Sequence, residues 1–125
     1  MIARKHRFHG HASLRYVYQH GQTVRGPLTA IKFVANGRRT TYRLAVVVSK
    51  RVHKSAVRRN RIRRRLYEAV RHHEPDILTP YDIVLTVFHD QVADLPAKEL
   101  QTLVRAQLRQ TGIIQKPAKN TTESK

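Results

Sequence analysis

The segment Arg58-Arg59-Asn60-Arg61-Ile62-Arg63-Arg64-Arg65 puts six arginines into eight positions. Any fold of this chain has to accommodate it. Ile62, Leu66, Ala69 and Val70 continue through and beyond it at helical spacing. A helix so dense in guanidinium repels itself unless a polyanion neutralises it. Arginine presents a planar fork of donors and is weakly hydrated enough to lie against phosphates and base faces. The segment therefore points to nucleic acid, and to RNA first.

Charge along the rest of the chain agrees. Residues 1–67 carry eighteen basic and no acidic side chains, whereas 68–125 carry seven basic and eight acidic ones, a net of −1. The overall charge is +17. Such asymmetry implies an anionic partner on one part of the chain, with affinity that falls steeply with salt. A solvated basic surface or a membrane-surface helix fits less well, because the arginine segment includes Asn60 and lacks Trp and Phe.

At 125 residues the chain reads as one domain over 1–115, followed by a polar tail over 116–125 expected to be disordered. There is no apolar run long enough for a membrane span and no signal-like N-terminal stretch, which together lead us to expect a cytoplasmic protein. The chain has no cysteine, which removes disulfides, thiolate metal sites and cysteine nucleophiles.

Periodicity predicts a helix from Ala12 to His20, with Ser13 as N-cap and Gly21 as its stop. An extended piece around Thr23–Arg25 precedes a strand over Leu28–Ala35. Asn36-Gly37 signals a hairpin, with the return strand at Thr41–Ser49, and Val46-Val47-Val48 suggests a central strand buried on both faces. The loop Lys50–Ser55 leads to the basic helix, Ala56 to His73, ended by Pro75. A strand over Tyr81–Phe88 and a helix from Pro96 to Thr111 follow, with Leu100, Leu103, Val104 and Leu108 as the buried face of that helix. The fold class is α+β: an α-β-β-β-α-β-α sandwich with a small mixed sheet packed against helices.

On the basic helix, Ile62, Leu66, Ala69 and Val70 form the stripe toward the sheet, and Asn60, Arg64, Tyr67 and Arg71 share a flanking stripe. An amide, a guanidinium and an aromatic ring on one surface suit single-stranded RNA. Arg59 falls close to the apolar side and is expected to reach toward a neighbouring strand or cleft.

The run Ser49-Lys50-Arg51, then Ala56-Val57-Arg58-Arg59-Asn60-Arg61-Ile62-Arg63-Arg64, resembles the signature of the protein subunit of bacterial ribonuclease P, whose hallmark is an Arg-Asn-Arg helix. Arg7-Phe8, Val17-Tyr18-Gln19-His20-Gly21, the Leu44–Ser49 strand and Tyr81-Asp82-Ile83-Val84 come in that family's order, so the resemblance spans residues 4–112. It implies a non-catalytic subunit of a ribonucleoprotein endoribonuclease that removes the 5′ leader of precursor tRNA. The RNA subunit holds the catalytic Mg²⁺, and the protein raises substrate affinity and lowers the Mg²⁺ requirement. It also implies a monomeric protein in a 1:1 complex with ribonuclease P RNA, a fold like the second domain of a small-subunit ribosomal protein, and a left-handed βαβ crossover. By resemblance, Arg59, Asn60, Arg61, Arg63 and Arg64 contact RNA, and Tyr67, Lys50 and Arg51 are added as neighbours. Tyr18, Leu14 and Lys32 line the leader cleft. Leu14 and Lys32 stand where aromatics are usual, Tyr67 and Phe88 where arginine is frequent, and Arg63 where lysine is common.

Other readings compete at particular residues. Tyr18 reads equally as half-buried core, Phe33 as core, and Phe8 as packing. The histidines, His6, His9, His11 and the pair His72-His73 among them, lack the cysteines and nearby acids of a structural metal site. No catalytic residue and no protein metal site are expected. A ribosomal or other structured-RNA-binding protein is the main rival. A helix-turn-helix DNA reader would need a short helix, not a Val-rich strand, before the basic helix.

Overall fold

The computed structural model describes residues 6, 11–77 and 80–114. Its elements are α1 (His11–His20), β1 (Gln22–Arg25), β2 (Thr29–Ala35), β3 (Arg43–Val47), α2 (Ala56–His72), β4 (Tyr81–Val87) and α3 (Ala97–Thr111). Short 3₁₀ turns lie at Glu74–Asp76 and Asp90–Ala93. The strands form one sheet in the order β1-β2-β4-β3. β1 pairs antiparallel with β2 and β2 with β4, while β3 and β4 run parallel, joined through α2. This is the mixed α+β sandwich expected from the sequence.

Alternation of side chains along the strands sets the layers. Ile31 and Phe33 of β2, Leu44 and Val46 of β3, and Ile83 and Leu85 of β4 point to one face. There they meet Ile62 and Leu66 of α2 and Leu100, Val104 and Leu108 of α3. On the other face Ala45 and Val84 close around Val17 of α1, with Leu14, Val34 and Val47 at the margin. Phe33 is core, with its ring edge-on to Tyr81 at 5.9 Å.

Two strand expectations are corrected. Asn36-Gly37 does turn the chain, but β2 and β3 do not pair, because β4 lies between them. The β3 strand is an edge, not a centre. Its valine run reflects burial by α2 on one face and α1 on the other. The central place goes to β4, whose Asp82, Ile83, Val84 and Leu85 are all buried. Ser13 lies inside α1, which starts at His11, so it is not the cap. The tail expected to be disordered lies outside the described residues.

The other helix ends follow their sequence cues with one addition. Ser55 caps α2, its side chain accepting from the Arg58 N–H at 3.3 Å. Gly112 closes α3 at φ 83°. Within α3, Leu103 is 38% exposed, against expectation, and Gln107 takes a buried place. Thr29 makes that possible: its hydroxyl donates to Gln107 Oε1 at 2.5 Å, and Gln107 Nε2 donates to the Thr29 carbonyl at 2.9 Å. At the far end of β3, Tyr42 donates to Glu74 at 2.7 Å and stacks on His6, with ring centroids 4.2 Å apart. Burial, then the bond to Glu74, pushes the Tyr42 hydroxyl pKa upward. Among the described residues, no helix is long and apolar enough to cross a membrane.

Gly21 seats α1 on the sheet. Its N–H donates to the Val17 carbonyl at 2.7 Å, and a Cβ there would lie 2.6 Å from Val17 O and 2.9 Å from Phe33 O. Both obstacles are backbone, so neither yields cheaply. Gly21→Ala should therefore lower stability by about 1–3 kcal/mol, read as a lower midpoint in urea unfolding. An unchanged midpoint would show that α1 is only loosely seated.

Candidate nucleic-acid interface

The arginines of α2 divide by direction. Arg58, Arg61 and Arg65, spaced three and four apart, share one stripe facing the 3₁₀ turn Asp90–Ala93 and the chain after it. Arg58 Nε lies 3.2 Å from Asp90 Oδ2, and its Nη2 lies 2.6 Å from Asp94 Oδ2. Arg61 Nε donates to the Ala93 carbonyl at 2.9 Å. Arg65 donates to the carbonyls of Val92, at 2.6 Å, and Leu95. Burial, then the neighbouring Arg61 charge, lowers the Arg65 pKa. The Arg58 hydrogen bond holds the Asp94 carboxyl below its usual range. This stripe is a structural joint between α2 and the approach to α3.

The remaining basic groups lie on other sides of the helix. Arg59 turns back on the preceding loop, donating to the carbonyls of His53 at 3.0 Å and Lys54 at 2.8 Å, instead of reaching across to a strand or cleft. Arg63 donates to Asn60 Oδ1. Arg64 is exposed and has no side-chain partner among the described residues. Lys50 and Arg51 are exposed on the loop between β3 and α2. Tyr67 is half-buried against the main core, so only part of it is offered to a partner. Arg71, expected on the same stripe as Arg64, is engaged by Glu68 at 2.8 Å.

Of the residues expected to contact RNA, Lys50 and Arg51 are exposed on the loop before α2 and Asn60 and Arg64 are exposed on α2, while Arg59 and Arg63 are half-buried with internal partners. The Arg61 Nε is drawn away toward Ala93. The Arg58-Arg61-Arg65 joint went unread in the sequence. Its signal was the spacing of those three arginines together with Asp90 and Asp94 just before α3.

The residues expected in the leader cleft lie in the α1 layer, on the opposite face of the sheet from α2. Tyr18 is 46% exposed and lies outside the Val17 cluster. Leu14 packs half-buried against the Val17 cluster. Lys32 points to the same sheet face, in register with Val84, and its Cγ would lie 3.2 Å from a Cβ on Gly21. The loop with Lys50 and Arg51 leads from the edge strand β3 into α2. Phe88 meets Arg25, whose guanidinium lies 4.3 Å above the ring centroid.

The structure is thus a mixed α+β sandwich that exposes Asn60 and Arg64 near the start of its most basic helix. The model of the ribonuclease P family matches residues 2–112, so the chain belongs to that family. It is 40% identical over 120 residues to the ribonuclease P protein component of Chloroflexus aurantiacus strain J-10-fl, covering 96% of this chain and 87% of that one. Against the same component from Roseiflexus sp. strain RS-1 it is 41% identical over 81 residues, 65% of this chain and 66% of that one. In fold it is similar to the RNase P protein of Staphylococcus aureus, with TM-score 0.77 and 24% identity over 88% of this chain and 98% of that one. For the Thermotoga maritima RNase P protein the values are 0.68 and 21%, over 77% and 89%.

The division of α2 predicts unequal stability effects. Arg65→Ala should cost about 1–3 kcal/mol by leaving carbonyls without their charged donor, while Arg64→Ala should stay within about 0.5 kcal/mol of wild type. Thermal unfolding of the free protein, followed by circular dichroism, checks both. Equal effects would remove the division.

Proposed function

We propose that this chain is the protein subunit of ribonuclease P. It binds the catalytic RNA and the single-stranded 5′ leader of precursor tRNA during removal of that leader. The observation that carries the proposal is the polar surface of α2: Asn60 and Arg64 are exposed, Arg59 and Arg63 bond only to loop carbonyls and to Asn60, and Lys50 and Arg51 are exposed on the preceding loop, with no acidic side chain among them. These groups neutralise the phosphates of the RNA subunit. The leader passes along the α1 layer, where Tyr18 offers an exposed ring for stacking, Leu14 an apolar wall, and Lys32 a phosphate contact in place of an aromatic one.

Catalytic Mg²⁺ is assigned to the RNA and substrate. The carboxylates nearest the basic surfaces are already engaged: Asp82 by Arg43, Asp90 and Asp94 by Arg58, and Glu68 by Arg71. Such arginine-paired acids do not suit a hard dication that needs free oxygen ligands. The protein's part is charge. A +17 chain reduces repulsion between two polyanions and takes over screening that Mg²⁺ would otherwise supply. A cytoplasmic monomer acting in a 1:1 complex with the RNA fits this role.

The test is cleavage of a precursor tRNA by a bacterial ribonuclease P RNA at low Mg²⁺, with and without the protein. Protein-dependent cleavage at the mature 5′ end is expected, and its absence would contradict the assignment. Tyr18→Ala should weaken binding of leader-bearing precursor by about 1–3 kcal/mol, as for one lost base stack, and spare leaderless tRNA. Equal loss for both would take Tyr18 out of the leader cleft.

A further inference from the structure

The flank of α1 away from Tyr18 forms a second concave surface. Val17 is buried against the sheet. Leu14 and Tyr18 fall to one side of it around the helix axis, and Ser13, Tyr16 and His20 fall to the other. On this second side a cleft of about 450 Å³ opens between α1 and the turn after β2, walled by Ser13, Tyr16, Asn36, Arg38, Arg43 and Asp82. That volume lies within the roughly 300–1,000 Å³ typical of small-molecule sites. It sits at the Arg43 end of β3, whereas the loop with Lys50 and Arg51 leaves from the Val47 end.

The chemistry of the walls is specific. Asp82 is 4% exposed, and its charge is met by the Arg43 fork at 2.9 Å to each carboxylate oxygen. Asn36 Nδ2 donates to Asp82 Oδ2 at 2.9 Å, and Asn36 Oδ1 accepts from the Arg38 N–H at 3.1 Å. The floor is therefore satisfied internally, rigid, and does not repel an anion. Free valence lies at the rim. Arg38 and Arg39 are exposed and make no ion pair among the described residues. Tyr16 is 52% exposed, more than Tyr18, and its ring packs against that of His20 with centroids 4.5 Å apart and a 40° tilt. An oriented aromatic platform and the unpaired Arg38 guanidinium in one cleft, with exposed Arg39 next in the chain, match a ligand with both a π-face and a phosphate. An acidic peptide would satisfy the arginines and leave the ring uncovered.

We propose that this cleft is a second contact for single-stranded RNA, seating one nucleotide with its base on Tyr16 and its phosphate at Arg38 and Arg39. It rests on the reading of the chain as an RNA-binding subunit and adds a site on the far side of α1 from the leader cleft. A helix is only about 10–12 Å across, so one short strand can engage both flanks.

The experiment is a titration of ¹⁵N-labelled full-length protein with an eight-nucleotide oligouridylate, followed by amide chemical shifts, with affinities from anisotropy of the fluorescein-labelled strand. Shifts at Ser13, Tyr16, Gly37 and Arg38 are expected in addition to those around Tyr18. Tyr16→Leu, and Arg38→Ala combined with Arg39→Ala, should each weaken binding at least about five-fold without lowering the melting temperature. In Tyr18→Ala the shifts at Tyr16 should persist. Shifts confined to Tyr18, Lys32 and α2, with both variants binding like wild type, would overturn this site and leave the proposed function standing. Absence of any RNA-induced shift would overturn both. The same shifts with polyglutamate at equal charge would overturn the base-stacking assignment.

Discussion

Guanidinium repulsion along α2 is the constraint on which the rest of the structure depends. Two such charges about 6 Å apart in water repel by about 0.7 kcal/mol, and six of them share eight positions of the helix. The same helix must present Ile62 and Leu66 to the core without a residual exposure, as both are fully buried. The fold meets both demands by direction. Arg58, Arg61 and Arg65 are tied to the carbonyls and carboxylates of the Asp90–Leu95 stretch, where charged hydrogen bonds are worth about 1.5–3 kcal/mol each. The others are left on a polar surface. In the proposed complex an RNA at that surface would lower the remaining repulsion, so the cost of the arrangement in the free protein would become affinity.

The topology then decides which surfaces a nucleic acid meets together. With β4 at the centre and β3 at the edge, α2 and α1 sit on opposite faces of the sheet, and the loop bearing Lys50 and Arg51 leads from β3 into α2. In the function we propose, a large RNA lies on the α2 side and a single strand runs on the α1 side, past the exposed Tyr18. Paired acids complete this arrangement, since nearly every carboxylate near these surfaces is already matched by an arginine. In the proposed function the protein contributes shape and positive charge.

Much of this was legible in the sequence because the signals were local. Helical spacing located α2 and its apolar stripe, and the glycines at 21 and 112 located helix ends. Strand pairing was not legible. Asn36-Gly37 is a turn signal, but whether the flanking strands pair depends on β4, some 45 residues later, whose buried run outcompetes β3 for the centre. Burial of Gln107 in place of Leu103 was hidden for a related reason: hydropathy cannot anticipate that Thr29 will satisfy both ends of the amide. At the candidate site, composition revealed how many arginines there are but not which have internal partners. Arg61 and Arg64 look alike in sequence, and only the packing of Asp90–Leu95 separates them.

The most direct test of this division is the salt dependence of binding to a bacterial ribonuclease P RNA. Each phosphate contact adds close to one unit to the slope of log affinity against log salt. Arg64→Ala should reduce the slope by about one unit, while Arg65→Gln should leave it at the wild-type value. A slope reduced by Arg65→Gln and unchanged by Arg64→Ala would contradict the account.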